Sequence, residues 1–216
     1  MTRGIILLSG GLDSLVSLGI TKNIELALTF DYGQKSADYE IKASKVICDY
    51  YKIEHKVIKL DWLKEITHTA LVSGDKLPEG IDNPKESAKS VWVPNRNGLF
   101  LNIAASFADG DDYDFIVIGA NKEEGQTFSD NSKDFIERVN AEFEFSTCKH
   151  PKVVAPLLNC NKNDIVKLAL ENNIPLGLVR SCYAGGEKHC GMCESCTRLK
   201  NALIANGDTK FIRDLF

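Results

Sequence analysis

A glycine-rich hexapeptide near the start of the chain carries residue types that bind phosphate. It stands between a short apolar run and a helical pattern, and it reads Ser9, Gly10, Gly11, Leu12, Asp13 and Ser14. Adjacent glycines let a backbone turn tightly against a ligand, and the unpaired amides at a helix start favour an anion. The loop, with Leu8 before it, therefore predicts an ATP site in which Asp13 holds Mg²⁺ or orders the loop. The plainer alternative is a helix start with serine and aspartate caps.

This loop matches neither of two common nucleotide-binding fingerprints. It lacks the Gly-Lys-Ser/Thr ending of a Walker loop and the third glycine of a dinucleotide-binding turn. Its Ser-Gly-Gly-x-Asp-Ser pattern, directly after an apolar run, instead resembles the PP-loop ATP pyrophosphatases. The resemblance implies that ATP is cleaved between its α and β phosphates and that a substrate is adenylated.

Four of the seven cysteines crowd together near the end of the chain, with the spacing C-x7-C-x2-C-x2-C. They are Cys182, Cys190, Cys193 and Cys196. Four thiolates match a closed tetrahedral Zn²⁺ site with no open position for catalysis, so we expect a structural zinc that folds the end of the chain. The alternatives are an iron–sulfur cluster and a redox pair at Cys190 and Cys193. We expect the adjacent His189 to lie at the surface.

Short apolar runs alternate with helical patterns along most of the chain. Strands are predicted at 5–8, 24–30, 55–60, 115–118 and 153–156, and helices at 13–21, 36–51, 97–108, 132–145, 161–171 and 194–205. Apolar strands without a period of two indicate a parallel sheet covered on both faces. The predicted fold class is therefore α/β, with a doubly wound parallel sheet and a small C-terminal zinc-binding helical segment. Ligands of such sheets bind beyond the carboxyl ends of the strands.

We predict two regions, an ATP-binding domain at 1–178 and a zinc-binding region at 179–216 packed on it. Residues 64–92 show little periodicity and contain two glycines and two prolines. They therefore predict a long loop, a feature that is usually functional or disordered inside a compact domain.

Further motifs extend the resemblance over nearly the whole chain. They are Phe30-Asp31-Tyr32-Gly33-Gln34, Val93-Pro94-Asn95-Arg96-Asn97, Gly119-Ala120-Asn121, Lys162 at a helix start, and Ser181-Cys182-Tyr183 before the other three cysteines. In this order they resemble the 7-cyano-7-deazaguanine synthases of queuosine biosynthesis, which have an adenine nucleotide alpha hydrolase-like fold. The resemblance implies an ATP-dependent carbon–nitrogen ligase that converts 7-carboxy-7-deazaguanine and ammonia to the nitrile through an adenylated carboxylate and an amide. It also implies ATP, Zn²⁺ and Mg²⁺ as cofactors and a homodimer.

Roles for single residues follow from the same resemblance. The adenine would lie at Phe30, Gly33 and Gln34. The catalytic residues would be Asp13, Arg96 and Lys162. The base would contact Asn97, Asn121, Asp130 and Tyr183. Arginine can donate two parallel hydrogen bonds to a phosphate or carboxylate. The helix dipole disfavours a lysine in the first turn of a helix, so a lysine at that position suggests a nearby anion. The alternatives are an exposed arginine at a helix start and plain core positions for the aromatic residues.

One stretch departs from the pattern of this family. Where the family carries an aromatic residue and then Tyr-Pro-Asp-Cys-Arg, this chain has residues 124–132, in which Asp130 aligns with the aspartate and Asn131-Ser132 replace Cys-Arg. The departure leaves ATP use untouched and leaves the acceptor carboxylate open. The alternatives are a paralogue that adenylates another carboxylate or a protein terminus, a tRNA-modifying thiolase, and a nucleotide-binding sensor.

The composition, 44% hydrophobic and 26% charged, is ordinary for a globular protein. A net charge of −4 argues against a broad nucleic-acid surface, so we expect small-molecule substrates and no direct nucleic-acid partner. No apolar run approaches the ~20 residues that span a bilayer, and the first run is shorter than a secretory core of ~7–15 residues. We therefore expect a cytoplasmic protein with no membrane partner.

Overall fold

The structure, a computed structural model, describes residues 2–73, 77 and 90–216. In this part of the chain five strands form one sheet in the order β3-β2-β1-β4-β5, and every neighbouring pair is parallel. The strands are β1 (Gly4–Leu7), β2 (Ile24–Asp31), β3 (Glu54–Lys59), β4 (Phe115–Val117) and β5 (Lys152–Val154). The predicted parallel sheet is confirmed.

Helices connect the strands and follow the last one. They are α1 (Leu12–Ile20), α2 (Ala37–Tyr51), α3 (Asp61–Glu65), α4 (Arg96–Asp111), α5 (Lys122–Thr127), α6 (Lys133–Ser146), α7 (Lys162–Glu171), α8 (Glu194–Ala205) and α9 (Lys210–Leu215). The sequence did not predict α3, α5 and α9, which are too short to show a helical period. Of the predicted loop at 64–92, residues 66–73 carry turns and bends, whereas 74–76 and 78–89 lie outside the described residues.

The two faces of the sheet bury different side chains of the same strand. Along β1, Ile5 and Leu7 pack in a cluster with residues of α4 and α6. Ile6 packs in a second cluster with residues of α1, α2, α7 and α8. Because helices cover both faces, every residue of β1 is buried, which explains the absence of a period of two.

The strand order places a topological switch point between β1 and β4. The chain moves from β1 to β2 and β3 on one side, and later to β4 and β5 on the other. The loops after β1 and β4 therefore diverge and leave a crevice at their carboxyl ends. At Gly119, after β4, a Cβ would lie 3.0 Å from the backbone nitrogen of Ser14, so a glycine lets the two loops meet.

The end of the chain joins the main core. Leu199, Ala202 and Leu203 of α8 are buried in the same cluster as Ile6 and Val117 of the sheet. This packing agrees with a C-terminal helical segment held against the sheet, while the boundary at residue 178 stays a prediction. Within the described ranges, the structure has no helix with the length and apolar character needed to cross a membrane.

Candidate active site

A cleft of about 270 Å³ lies at the carboxyl ends of the central strands. Most of the residues that the sequence nominates for ATP, catalysis and substrate lie on its wall: Leu8, Ser9, Gly11, Leu12, Asp13, Ser14, Phe30, Gln34, Arg96, Asn97, Asp130, Lys162 and Tyr183. Three nominated residues do not line it, namely Gly10, Gly33 and Asn121. The fold thus gathers residues from both halves of the chain around one crevice.

The hexapeptide forms a tight turn tied by its serines. The hydroxyls of Ser9 and Ser14 lie 3.2 Å apart, and Ser14 Oγ donates to the carbonyl of Gly11 at 3.1 Å. Gly11 is the N-cap of α1, so no side chain caps this helix start in the way that the plainer alternative requires. From the distant end of the chain, Ser181 Oγ accepts the Leu12 amide at 3.3 Å. The turn is therefore held both by its own serines and by Ser181 from the distant end of the chain.

Gly10 offers a direct test of this turn. Its φ is +75°, and an added Cβ would lie 3.0 Å from the Cβ of Ala43. We expect Gly10→Ala to lower the free energy of unfolding by about 1–2 kcal/mol, because a side chain disfavours left-handed backbone. The matched control is Gly110→Ala in α4, where a Cβ meets nothing within 4 Å, and where alanine should stabilise the helix by up to about 1 kcal/mol. Urea unfolding of both variants measures this, and equal midpoints would contradict it.

Lys162 lies at the centre of the charged groups in the cleft. Its Nζ is 2.5 Å from Asp13 Oδ2 and 3.0 Å from Glu124 Oε1, and its side chain is only 12% exposed. Burial lowers the pKa of Lys162, but the two carboxylates outweigh it and hold that pKa above its ordinary value. The other oxygen of Asp13, Oδ1, is buried and has no hydrogen-bond partner among the residues that the structure describes. The sequence predicts an anion beside Lys162, and in this structure the carboxylates of Asp13 and Glu124 are that anion.

The backbone of Lys162 is held from the cysteine-bearing end of the chain. Its amide donates to Glu123 Oε1 at 2.8 Å, and Glu123 Oε2 pairs with Arg198 of α8 at 3.0 Å. Arg198 also pairs with Glu194 at 2.6 Å, one turn earlier on the same helix. Sequence reasoning missed this chain of contacts. Two signals were available in the sequence: Arg198 lies two residues after Cys196, and Glu123 directly precedes the stretch at 124–132 that departs from the family pattern.

Arg96 opens α4 and lies among oxygen-bearing side chains. Burial lowers its pKa, but Tyr32, Asp130 and other neighbours outweigh burial and raise it. In turn, burial raises the pKa of Tyr32 to about 12, against the opposing effect of Arg96. Arg96 is only partly exposed and lines the cleft, so the alternative of an exposed arginine is wrong. Nearby, Asn97 Nδ2 donates to the Asp130 carbonyl at 3.2 Å and fixes that turn.

The segment after β2 is ordered by Gln34. Its Nε2 donates to the Phe30 carbonyl at 3.1 Å and to Glu40 Oε2 at 2.9 Å, while its Oε1 accepts the Tyr32 amide at 3.0 Å. Burial raises the pKa of Glu40, which sequence reasoning did not single out. Phe30 is buried in the core as well as on the cleft wall. Gly33 has a φ of +81° and faces Lys64, away from the cleft.

The stretch that departs from the family pattern has clear local roles. Ser132 is the N-cap of α6, where its Oγ accepts the Phe135 amide at 3.2 Å. Asn131 is buried, and its Nδ2 donates to Asp130 Oδ1 at 3.1 Å. Asn121, fully buried, caps α5 by accepting the Glu124 amide at 3.0 Å. Asn121 therefore fixes the backbone of Glu124, and Asn131 holds the carboxylate of Asp130.

The four cysteines form a compact cluster at the start of α8. Their sulfurs all lie within 4.8 Å of one another, and Cys182, Cys193 and Cys196 are buried. Backbone amides donate to the sulfurs, with Cys193 N at 3.3 Å from Cys190 Sγ. Four sulfurs bound at ~2.3 Å to one tetrahedral ion lie ~3.8 Å apart, so the cluster suits a single metal ion.

His189 is buried, so the expectation that it lies at the surface is wrong. Its Nε2 accepts the Ser181 amide at 3.0 Å, which leaves its Nδ1, 3.1 Å from the Leu215 carbonyl, as the donor. Both ring nitrogens are thus paired with backbone, which makes burial of the ring tolerable. The contact ties the residues before the cysteine cluster to the end of the chain.

Arg180 is a cleft residue that the sequence did not reveal. It is 8% exposed, its amide donates to the Gly10 carbonyl at 2.7 Å, and its guanidinium lies over the Tyr39 ring at 5.0 Å. Its NH1 donates to the Glu187 carbonyl at 3.3 Å. Arg180 therefore braces the hexapeptide against the loop that carries the cysteines.

Solved structures with the same architecture include proteins of distant sequence. The U34-tRNA thiolase NcsA from Methanococcus maripaludis aligns with 99% of this chain and 69% of its own, at a TM-score of 0.50 and 15% identity. A predicted subunit of tRNA methyltransferase from Methanocaldococcus jannaschii aligns with 79% of this chain and 77% of its own, at 0.50 and 17%. At such identities the likeness shows the fold alone.

Curated relatives are much more similar. A 7-cyano-7-deazaguanine synthase of Methanosarcina mazei is 50% identical over 93% of each chain, and one of Carboxydothermus hydrogenoformans is 49% identical over 95% of this chain and all of its own. One of Bdellovibrio bacteriovorus is 43% identical over 96% of each chain. The family model described as queuosine biosynthesis protein QueC matches residues 3–207. With the match spanning both the hexapeptide and the cysteine cluster, the chain belongs to the QueC family.

Proposed function

We propose that this chain is a 7-cyano-7-deazaguanine synthase, an ATP-dependent carbon–nitrogen ligase of queuosine biosynthesis. The observation that carries the proposal is the cleft itself, in which the hexapeptide, Lys162 and Arg96 surround one space. Family membership and the printed names of the similar relatives support the choice of substrate.

The chemistry needs two activations of one carbon. The carboxylate of 7-carboxy-7-deazaguanine attacks the α-phosphate of ATP, pyrophosphate leaves, and ammonia then displaces AMP to give the amide. In the second round the amide oxygen attacks another ATP, pyrophosphate leaves again, and loss of AMP and a proton gives the nitrile. Two ATP are thus consumed for each nitrile. No step requires a covalent protein nucleophile, so positioning and charge stabilisation are sufficient.

The groups on the cleft wall match these needs. The turn at the start of α1 would receive the phosphates, because its N-cap is a glycine and the helix dipole favours an anion. Lys162 would exchange part of its pairing with Asp13 and Glu124 for the incoming phosphate charge. Arg96 would lie against the reacting carboxylate and the α-phosphate. The adenine would lie along the wall at Phe30 and Gln34.

Two metals fit the donors that the chain offers. We propose Zn²⁺ at the four cysteines, because an iron–sulfur cluster distributes its four thiolates over two or four irons, so that some of the sulfurs must lie farther apart than around a single ion. A closed four-sulfur site supplies folding energy rather than catalysis. Asp13 Oδ1, which is buried and lacks a hydrogen-bond partner within the described ranges, is a suitable ligand for Mg²⁺. When bound, that ion would offset phosphate charge.

The test supplies purified protein with ATP, ammonium and 7-carboxy-7-deazaguanine, and measures AMP, pyrophosphate and the mass of the base product. We expect the nitrile, with two AMP for each nitrile formed, and one AMP for each nitrile when the amide is supplied instead. Omission of the base is the control for idle hydrolysis. If no AMP forms with this acid but AMP forms with another carboxylate, the protein is a paralogue that acts on that carboxylate. If AMP forms but the base product is the amide, only the second step is overturned.

We also propose a cytoplasmic homodimer that acts on small molecules without a direct nucleic-acid partner. The net charge of −4 supports the last point, because nucleic-acid surfaces carry a basic footprint. Analytical ultracentrifugation checks the oligomeric state.

A further inference from the structure

Two aromatic pairs line the cleft, and they differ in how they are packed. Phe30 and Phe100 stack with ring centroids 3.9 Å apart and planes within 5°, so each ring covers the face of the other. Trp92 and Phe128 are also nearly parallel, within 12°, but their centroids are 6.1 Å apart. We call the second pair the aromatic wall.

The aromatic wall offers surface that the described part of the chain leaves uncovered. Trp92 is 37% exposed, a large fraction for an indole on a cleft wall, whereas Phe30 is 6% exposed. Phe128 is partly buried and packs against the core, which holds its ring in place. Concave sites lined by aromatic side chains with a few polar groups are where planar ligands bind. Because the ring planes are nearly parallel, a planar ligand that stacks on the exposed face of Trp92 is also nearly parallel to the Phe128 ring.

We propose that the aromatic wall is the stacking surface for the planar bicyclic base, so that Trp92 and Phe128 determine specificity for a deazapurine acid. This inference rests on the proposed function, since it names the partner of the same reaction. The closed Phe30–Phe100 pair has no room for a ring between its members. In this proposal the acceptor base occupies the aromatic wall, and the adenine lies elsewhere on the cleft wall, at Phe30 and Gln34.

Polar groups beside the aromatic wall orient the base on it. Asp130 follows Phe128 by two residues, and its carbonyl is fixed by Asn97 Nδ2 at 3.2 Å. One carboxylate oxygen accepts Asn131 Nδ2 at 3.1 Å, and a carboxylate has capacity for further donors. The N–H groups on the pyrimidine edge of a guanine-type ring are such donors. We place that edge at Asp130, which leaves the reacting carboxylate of the base on its other ring.

The first experiment compares steady-state kinetics of Trp92→Ala and Phe128→Ala with wild type. Base–aromatic stacking is worth ~1–3 kcal/mol per base, so we expect KM for 7-carboxy-7-deazaguanine to rise at least about fivefold while KM for ATP stays unchanged. Trp92→Phe, which keeps an aromatic face, should lose less. The matched control is Trp62→Ala on α3, half-exposed and outside the cleft wall, which should keep both constants.

The second experiment does not depend on turnover. The chain has two tryptophans, so Trp62→Phe leaves Trp92 as its sole indole reporter. We expect a saturable change in Trp92 fluorescence on addition of the base, and none on addition of ATP alone. An unchanged emission at saturating base, or an unchanged KM for the base in folded Trp92→Ala, overturns the stacking proposal. If wild type forms no AMP from the base, the proposed function fails instead, so the two failures are distinct.

Discussion

Replacement of Lys162 by alanine is expected to lower kcat/KM for ATP-dependent AMP formation by about 10²–10³-fold. That is the usual effect of losing one well-placed group that stabilises developing charge. Lys162 reaches the hexapeptide through Asp13 at 2.5 Å and is only 12% exposed, so water cannot easily replace its charge. Pyrophosphate release measured over a range of ATP concentrations gives the value. Full wild-type kcat/KM in the variant would remove Lys162 from the proposed mechanism.

The same change should also destabilise the protein. Without the ammonium group, the largely buried carboxylates of Asp13 and Glu124 lose their shared cation, and breaking a buried pair costs about 3–5 kcal/mol. The carboxylates raise the pKa of Lys162, so its contribution is complete below the ordinary lysine value of 10.5 and is lost only as pH rises through the higher folded value. The part of the deficit that comes from the titration of Lys162 itself should therefore be constant across neutral pH.

Two variants show whether the effect is specific to this charge. Lys167→Ala, on the same helix α7, removes a lysine that is 68% exposed and 3.8 Å from Glu171. Exposed pairs contribute little, so both stability and activity should match wild type. Asp13→Asn combined with Lys162→Ala should recover part of the lost stability, since one of the two unpaired carboxylates is gone. Chemical denaturation near neutral pH measures all three proteins.

Loss of one cysteine of the cluster is the second change with a large expected effect. Cys196 is fully buried on α8, within 4.8 Å of the other three sulfurs. We expect Cys196→Ser to reduce bound zinc from about one ion per chain to nearly none, because serine does not replace a thiolate ligand. Loss of a structural metal belongs to the few changes that cost more than about 4 kcal/mol, which lowers the melting temperature by about 10 °C or more at this chain length.

The activity of this variant should fall as well, although no cysteine lines the cleft. Arg198 lies on the same helix as Cys196 and holds Glu123 at 3.0 Å, and Glu123 accepts the amide of Lys162 at 2.8 Å. If α8 loosens, this support of Lys162 is lost, so KM for ATP should rise.

Arg198→Ala, with the metal still bound, should raise KM for ATP without the loss of zinc.

Metal analysis and thermal unfolding decide this prediction. The control is Cys148→Ser, which removes an exposed cysteine outside the cluster and should change neither metal content nor melting temperature. A Cys196→Ser protein that still binds one zinc per chain would contradict the assignment of Cys196 as a ligand. If the wild-type protein is brown and contains iron in place of zinc, the four cysteines bind an iron–sulfur cluster and the zinc assignment is wrong.

Signals within a short stretch of chain were enough to predict much of this protein. The hexapeptide after an apolar run predicts a strand, a turn and a helix, because two glycines and a helix start define the backbone locally. The cysteine spacing likewise predicts a compact cluster, since Cys190, Cys193 and Cys196 cannot be far apart over two x2 intervals. Apolar runs without a period of two predicted the parallel sheet, which both the strand pairing and the solved structures confirm.

Only the tertiary structure decided which charged and aromatic side chains meet. Asp13 and Lys162 are 149 positions apart, and Glu123 and Arg198 are 75 apart, so their contacts depend on the order of the strands and the packing of α7 and α8. The burial of His189 depends on the backbone carbonyl of Leu215, 26 residues later. No local pattern encodes such pairings, because they arise when the loops after β1 and β4 diverge at the switch point and open the crevice. The sequence therefore determined the glycine-rich turn, whereas the fold decided which residues face it.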